Sequence, residues 1–598
     1  MNFAIYKRFY CTLAAVLLAG LVLPSPQGLP EASAQQAAEG TKVTVTTPPA
    51  GKLSWDEMLE IEARAPSAPQ GQRYIPRGEG PGPREIGIQP EQPIAPATSL
   101  PEITPPPDER EGRGPFGMTS TFIALEDANT SIPPDTMGAV GPNHLMTMLN
   151  TQVRIQNKSG TNISTVTLST FWSSITGDPF DPKVIYDAAT GRWLSTVDLD
   201  GNSTTSGIGF AISDTSDPTG NWTFYSYDAD ASNSTWADFP GFGVNDRWIA
   251  ITNNMFTVAG SPLFSGIKMW VIDKSTALAG GALTTTIFAP GFDVTPGGYY
   301  GFTMKPCQDL DNSSPTVLYI VDNSGWASGG TFLMRLSRIT GTAASPSWSV
   351  VPGSPVVATA GWFVVVNNFT WTLIQASQPG TGTTIDTGDG RMTDPVYRND
   401  RIWAVHSGGL PAGGAPNRTA AFWYELDPAQ LSTTPIIQSG VLDPGTGSHY
   451  SYPSIVANKN DDVAIGFSHA NSSTYIREMA TGRLSTDAAG TMNTPYEIRP
   501  GEDTYVKDYG SGLVRWGDYS ATRVDPVDDT TFWSIQQRAV LDVGAGASDD
   551  RWETNWSQNK RNLDVFVGED EALAAAFKAY LDRFDLGFLV APAEESPE

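Results

Sequence analysis

The side chains of this 598-residue chain that could do chemistry recur at two fixed places in a repeated unit. Asp135, Asp181, Asp238, Asp394, Tyr452 and Asp518 each open a copy, most with Pro or an aromatic residue beside them. Asn150, Asp198, Asn253, Asp322, His406, His469 and Gln536 each close a strongly apolar run, as Asn253 does after Trp248-Ile249-Ala250-Ile251. Paired carboxylates can cleave a glycosidic bond, one as general acid and the other as nucleophile or base. A His406 or His469 base with Tyr452 as acid, near Asp394, could instead eliminate from a uronic acid. The amides and remaining carboxylates suit binding of hydroxyl groups. In Ile385-Asp386-Thr387-Gly388-Asp389-Gly390-Arg391-Met392-Thr393-Asp394, the carboxylates of Asp386, Asp389 and Asp394 could hold Ca²⁺, a hard ion that takes oxygen ligands. No other cofactor is required. The same Asp before Pro or an aromatic is also a good turn starter, because its side chain accepts from backbone N–H groups just downstream.

The unit that carries these residues is a short apolar strand, a polar turn and a Trp-rich strand. It recurs from Pro133, Asp181, Asp238, Asp394, Tyr452 and Asp518, with a degenerate copy from Tyr300. Further strands rich in Val, Ile, Thr and aromatics lie between copies, giving about four strands per unit. A four-stranded sheet cannot cover both its faces alone, whereas sheets stacked radially around an axis can. The sequence therefore predicts an all-β protein, a β-propeller of seven blades, with six or eight also compatible. A pair of β-sandwiches would not need one unit seven times. In a propeller the first strand of a blade is innermost and the second returns to the same face. Openers and closers should then gather around one channel mouth.

The flanks read differently. Lys7 and Arg8 precede an apolar run from Leu13 to Leu23 and Ala32-Ser33-Ala34, the pattern of a secretory signal peptide over 1–34. Residues 35–114 form a Pro-rich linker, expected to be largely disordered, with 14 prolines between 41 and 110. Within it, Ser54-Trp55-Asp56-Glu57 is a capping box that could start a short helix. The propeller spans 115–565, and 566–598 holds a helix over Asp570–Arg583 and an acidic tail. Cleavage would remove Cys11 and leave Cys307 alone, so no internal disulfide is expected. Lys+Arg 37 against Asp+Glu 64 gives a net charge of −27, which repels nucleic-acid phosphates. No transmembrane segment is expected.

Thr215-Ser216-Asp217-Pro218-Thr219-Gly220-Asn221-Trp222 resembles the Asp-box hairpin of sialidases and related propellers. It carries one extra residue before Gly220 and one fewer before Trp222. The resemblance implies a hairpin between outer strands, away from the site. Region 115–565 is similar to secreted bacterial propeller proteins as a group. The sialidase catalytic set is not matched: its Arg-Ile-Pro motif has only a scrambled echo, Arg73-Tyr74-Ile75-Pro76, in the linker, and the expected mouth carries Asp rather than Arg. These features point to a secreted, monomeric propeller that recognises an extracellular polysaccharide or glycan. The alternatives are a glycoside hydrolase or polysaccharide lyase acting at the same mouth, and a structural envelope or matrix protein.

Overall fold

A computed structural model describes residues 42–65, 72–75, 77–78 and, apart from short internal stretches, 116–561. The expected signal peptide and C-terminal helix lie outside the described residues. The fold is all-β, with strands in a propeller arrangement and, among the described residues, three short helices. Five sheets stand separately as blades. The first runs Met137–Val140, His144–Met148, Gln152–Asn157, Asn162–Thr167. In chain order, with the two quartets described below standing third and fifth, the second spans Pro179–Asp228, the fourth Phe302–Val350 with an added strand Val356–Ala360, and the sixth Ser448–Arg499. The last combines Ala521–Val524, Phe532–Val540 and Arg551–Arg561 with Phe116–Glu126 from the other end of the repeat region. Two further quartets, Thr235–Phe288 and Val396–Leu442, run together into one ten-stranded sheet through the two-residue strand Gln308–Asp309. Separate sheets thus do not match the expected count of seven one for one.

Apolar cores between neighbouring sheets close the ring. Met146, Trp193 and Trp556 join the first, second and last sheets. Phe210 and Trp270 join the second to the quartet 235–288, and Trp248 with Ile320 carries that quartet to the fourth sheet. Leu336 and Phe422 continue to the quartet 396–442, and Trp403, Phe467 and Phe532 lead through the sixth sheet back to the last. In four of the seven sheets and quartets, a Trp near the start of the second strand, Trp193, Trp248, Trp403 or Trp533, is fully buried in these seams.

The Pro-rich stretch is not a bare linker throughout. Lys42–Thr47 adds an edge strand to Leu283–Phe288, and Gly51–Ser54 adds one to Asn221–Asp228. Ser54 then caps the helix Trp55–Arg64, its Oγ accepting from Glu57 N–H while the Glu57 carboxylate accepts from Ser54 N–H. Trp55 and Met58 are buried against the first and second sheets. Prolines at 48 and 49 fall between these elements, so alternation and capping prevail locally over composition. The Asp-box-like segment is the hairpin between the third and fourth strands of the second sheet, where Asp217 Oδ1 accepts from Thr219 N–H at 2.9 Å and the Trp222 indole donates to Pro218 O at 2.9 Å.

Candidate functional site at the channel mouth

The inner strands deliver their opening residues to the axis through a local distortion. Asp135, Asp181, Phe239, Thr303 and Tyr452 adopt left-handed φ values of 52°, 52°, 62°, 56° and 52°. The register slips at four of these places, between Phe180 and Lys183, Asp238 and Gly241, Phe302 and Lys305, and Ser451 and Ser454. Such a bulge re-aims a side chain out of the ladder, and the unfavourable φ persists only where surrounding packing fixes it.

The carboxylates of Asp135, Asp181, Asp238 and Asp518 are thereby collected in a buried group. One oxygen from each of Asp135, Asp181 and Asp518 lies within 4.8 Å of the others. Asn150 bridges two sheets: its Nδ2 donates to Asp135 Oδ2 at 2.6 Å and its Oδ1 accepts from Asp181 N–H at 2.7 Å. The Tyr519 hydroxyl donates to Asp181 Oδ2 at 2.7 Å, and Asn253 Nδ2 donates to Asp198 Oδ1 at 2.9 Å. Asn150, Asp198 and Asn253 therefore sit with the openers as the strand geometry predicts.

Cations that the repeat does not reveal balance this group. Arg77 reaches Asp386 at 3.2 Å and Asp518 at 3.3 Å. Arg515 pairs with Asp518, and Arg391 pairs with Asp389 at 2.8 Å and approaches Asp238 at 3.8 Å. Lys183 and Lys305, two residues beyond left-handed positions, flank Asp394 at 3.1 and 3.7 Å. Lys183 Nζ lies 3.2 Å from the Tyr519 ring centre and Lys305 Nζ 4.3 Å from that of Phe239, where ring quadrupoles attract cations. The mouth thus holds three arginines, correcting the expectation of Asp rather than Arg, although each is engaged by carboxylate.

The electrostatics divide the carboxyl groups. Burial, aided by the Asp181 charge, pushes Asp238 up to about 7. Burial also raises Asp135, Asp181 and Asp198, each helped by a neighbouring Asp. Burial opposes ionisation of Asp518 as well, but Arg515 and Arg77 outweigh it and hold this carboxyl below the ordinary range. Burial and the Lys183 charge bring Lys305 down to about 7.

Across this mouth lies the chain's own segment Arg73–Gly78. Arg73–Tyr74 pairs in parallel with Ser131–Ile132, and Ile75 is buried among Phe180, Trp236, Phe256 and Phe302. Arg515 Nη1 donates to Ile75 O at 2.6 Å, Gly78 N–H donates to Asp238 Oδ2 at 2.8 Å, and Arg391 donates to Gly78 O. This strap includes Arg73, Tyr74 and Ile75 of the scrambled sialidase echo. An Arg- and Ile-bearing island inside a Pro-rich tract was the one sequence signal for it.

Tyr452, Asp386, Asp389 and Asp394 also lie at the mouth, whereas His406, His469, Asp322 and Gln536 turn into their own sheets. The His406 ring is stacked between Phe422 and Tyr424, with Nε2 at 3.1 Å from the Tyr424 hydroxyl and Nδ1 at 2.8 Å from Ser407 O, and burial brings it down to about 4. His469 accepts from Arg477 Nε at 3.0 Å and meets the edge of Tyr450; burial, then Arg477, brings it down to about 4. The Tyr452 hydroxyl donates to Asp386 O at 2.9 Å, committing its proton to a carbonyl. Asp322 accepts from Arg335 at 3.0 Å and Gln536 donates to Ser534 Oγ at 3.0 Å, both within their own sheets. Asp386, Asp389 and Asp394 do not form a common ligand set: each faces a different cation, Arg77, Arg391 and the Lys183–Lys305 pair.

Fold and mouth together define a β-propeller with a polar axial centre. No protein-family model and no curated protein matches the chain. Among solved structures it is similar to the GH93 α-L-arabinofuranosidase of Fusarium graminearum, at 11% identity over 73% of this chain and 97% of that one, TM-score 0.34. It is also similar to Trypanosoma rangeli sialidase, at 11% identity over 72% and 59% of the two chains, TM-score 0.30. A third likeness is to an endo-arabinase from Bacteroides thetaiotaomicron, at 14% identity over 53% and 95%, TM-score 0.26. The chain is a propeller distantly similar to sialidase and arabinanase propellers; a likeness this remote says nothing of its ligand.

Proposed function

We propose that the protein is a secreted seven-bladed propeller that takes an extended, hydroxyl-rich glycan across its axial mouth. Counting the two quartets of the ten-stranded sheet as separate blades gives seven. The observation that carries the reading is the strap. The mouth already receives an extended chain through carboxylates that accept from it and guanidiniums that donate to it, beside the Phe239 and Tyr519 rings. Sugar hydroxyls offer the same two kinds of bond, and aromatic faces suit sugar rings. A glycan must take the place of Arg73–Gly78, so binding is expected to be stronger when the strap is weakened. The test is retention on a panel of immobilised polysaccharides by the full chain and by Arg77→Ala. Retention that rises in the variant supports this reading; no retention of either protein on any polysaccharide removes it.

A second reading, glycosidic cleavage, is favoured by the opposed proton preferences of Asp238 and Asp518. Near neutral pH one can donate a proton while the other stays charged, the division that acid and nucleophile or base require. Release of reducing ends, lost about a hundredfold or more in both Asp238→Asn and Asp518→Asn, would establish it. Activity limited by the Asp238 proton should fall as pH rises through about 7.

A further inference from the structure

We propose that Asp135, Asp181 and Asp518 form a binding site for one divalent cation of the Ca²⁺ class, set on the propeller axis across the junction where the ring closes. The three carboxylates come from the starts of the first, second and last sheets, and all are buried, with relative exposures of 0%, 1% and 8%. Proximity alone would not make a site. The second observation is that Asp135 Oδ1 and Asp181 Oδ1, both fully buried, receive no N–H or O–H from any other residue, and the two carboxyl groups are close enough to share a proton. Their companion oxygens are already used by Asn150 and Tyr519, so the two free oxygens are left in a group of like charges. A buried carboxylate oxygen without a donor is strongly unfavourable. Either a proton or a cation must resolve this cluster. A shared proton would join Asp135 to Asp181 alone, whereas a metal ion would take both free oxygens and add an oxygen of Asp518, which Arg77 and Arg515 also engage.

The dimensions fit a hard ion. Ca²⁺ binds oxygen at about 2.3–2.6 Å, so oxygens on opposite sides of it are about 5 Å apart. The 4.8 Å limit on the oxygen separations falls within this span. Asp518 is shared with Arg515 and Arg77, which compete with an ion for its charge. Affinity is therefore expected in the range of extracellular calcium modules, Kd of about 0.1–1 mM. Because the ligands come from three sheets, a bound ion would tie the last sheet to the first two.

The experiment uses the full chain. Calorimetric titration with CaCl2 and MgCl2 is combined with thermal unfolding in EDTA and in 10 mM of each ion, about ten times the weaker expected Kd or more. One Ca²⁺ per chain is expected, with a saturable rise in Tm of a few degrees, roughly as mass action requires. Asp135→Asn and Asp181→Asn should each weaken binding about tenfold or more, while Asp217→Asn, in the outer hairpin of the second sheet, should leave it unchanged. Absence of heat and of any Tm response to either ion in the unmodified protein overturns the site, and that result needs no variant to fold. Binding that survives both Asp135→Asn and Asp181→Asn places the ion elsewhere and overturns it equally. Glycan retention does not enter this readout, so the proposal and the functional reading fail separately.

Discussion

Asp238 and Asp518 bear the same side chain at equivalent starts of inner strands, yet burial beside Asp181 protects the proton of one and two guanidiniums remove it from the other. Glu478 is the same physics away from the mouth. It is buried, Asn555 Nδ2 donates to its Oε1 at 2.9 Å, and burial pushes it up to about 8. Below its ordinary value of 4.5 both folded and unfolded chains hold this proton. Between that value and about 8 only the folded chain holds it, so the group lowers stability as pH rises through the window, by at most about 1.4 kcal/mol for each pH step of one. Glu478→Gln keeps the acceptor for Asn555 and removes the titration. Its Tm is expected to match the unmodified protein at pH 4 and exceed it increasingly toward pH 8; parallel curves would refute the assignment. At this scale the sequence exposes Asp135, Asp181, Asp238 and Asp518, because they keep the period of the repeat. It hides Arg391 and Arg515, which lie in segments between copies, and Arg77, in the Pro-rich tract before the first copy; all three meet the carboxylates only after the ring closes. His406 and His469 occupy the right place in the period, but whether a closing residue points to the axis or into its own sheet depends on neighbours such as Tyr424 and Arg477, which no spacing encodes.

Elements divide in the same way. The Trp-led second strands and the capping box before Trp55 are local signals, and both appear where the sequence puts them. The edge strands Lys42–Thr47 and Gly51–Ser54, and the strap Arg73–Gly78, depend on sheet edges and a mouth built by residues more than 50 positions away, so composition alone suggests a solvated linker. The strap is held at one end by a backbone that tolerates no side chain: a Cβ on Gly78 would overlap the Phe256 ring. Gly78→Val must displace either the Phe256 ring, packed with Trp236 and Phe264, or the strap itself, and the strap has fewer buried contacts to lose. Limited trypsin digestion reads the difference at Arg73 and Arg77. Both bonds are expected to resist in the unmodified protein and to be cut at least about tenfold faster in Gly78→Val, with the blades intact, since a rise of only about 1.4 kcal/mol in the open population suffices. Equal rates would mean that Gly78 does not hold the strap.

At the scale of the whole molecule, the fold differs from an open array of repeats in how its ends meet. An open solenoid gains stability from nearest neighbours and can lose terminal units one at a time. Here Phe116–Glu126 pairs with Arg551–Arg561, so the last sheet is completed by residues more than 400 positions earlier in the chain. Phe116 sits in the core shared by the quartet 396–442 and the sixth sheet, edge-on to Phe532 at 5.1 Å, while Leu125 lies in the core containing Trp552 and Tyr505. Each large apolar side chain removed from such a position costs about 2–5 kcal/mol before any lost ladder bonds are counted. Removing residues 1–126 should therefore do more than trim an edge. It opens the ring, exposes the pairing edge of Arg551–Arg561, and leaves the cores on either side of the seam half-covered. Denaturant unfolding followed by Trp fluorescence is expected to show one steep transition for the full chain. For the truncated chain it should be earlier and shallower, with self-association through the uncovered strand edge. If the truncated chain unfolds at the same midpoint with the same slope, the sheets are stable individually and closure by this strand does not hold the ring together.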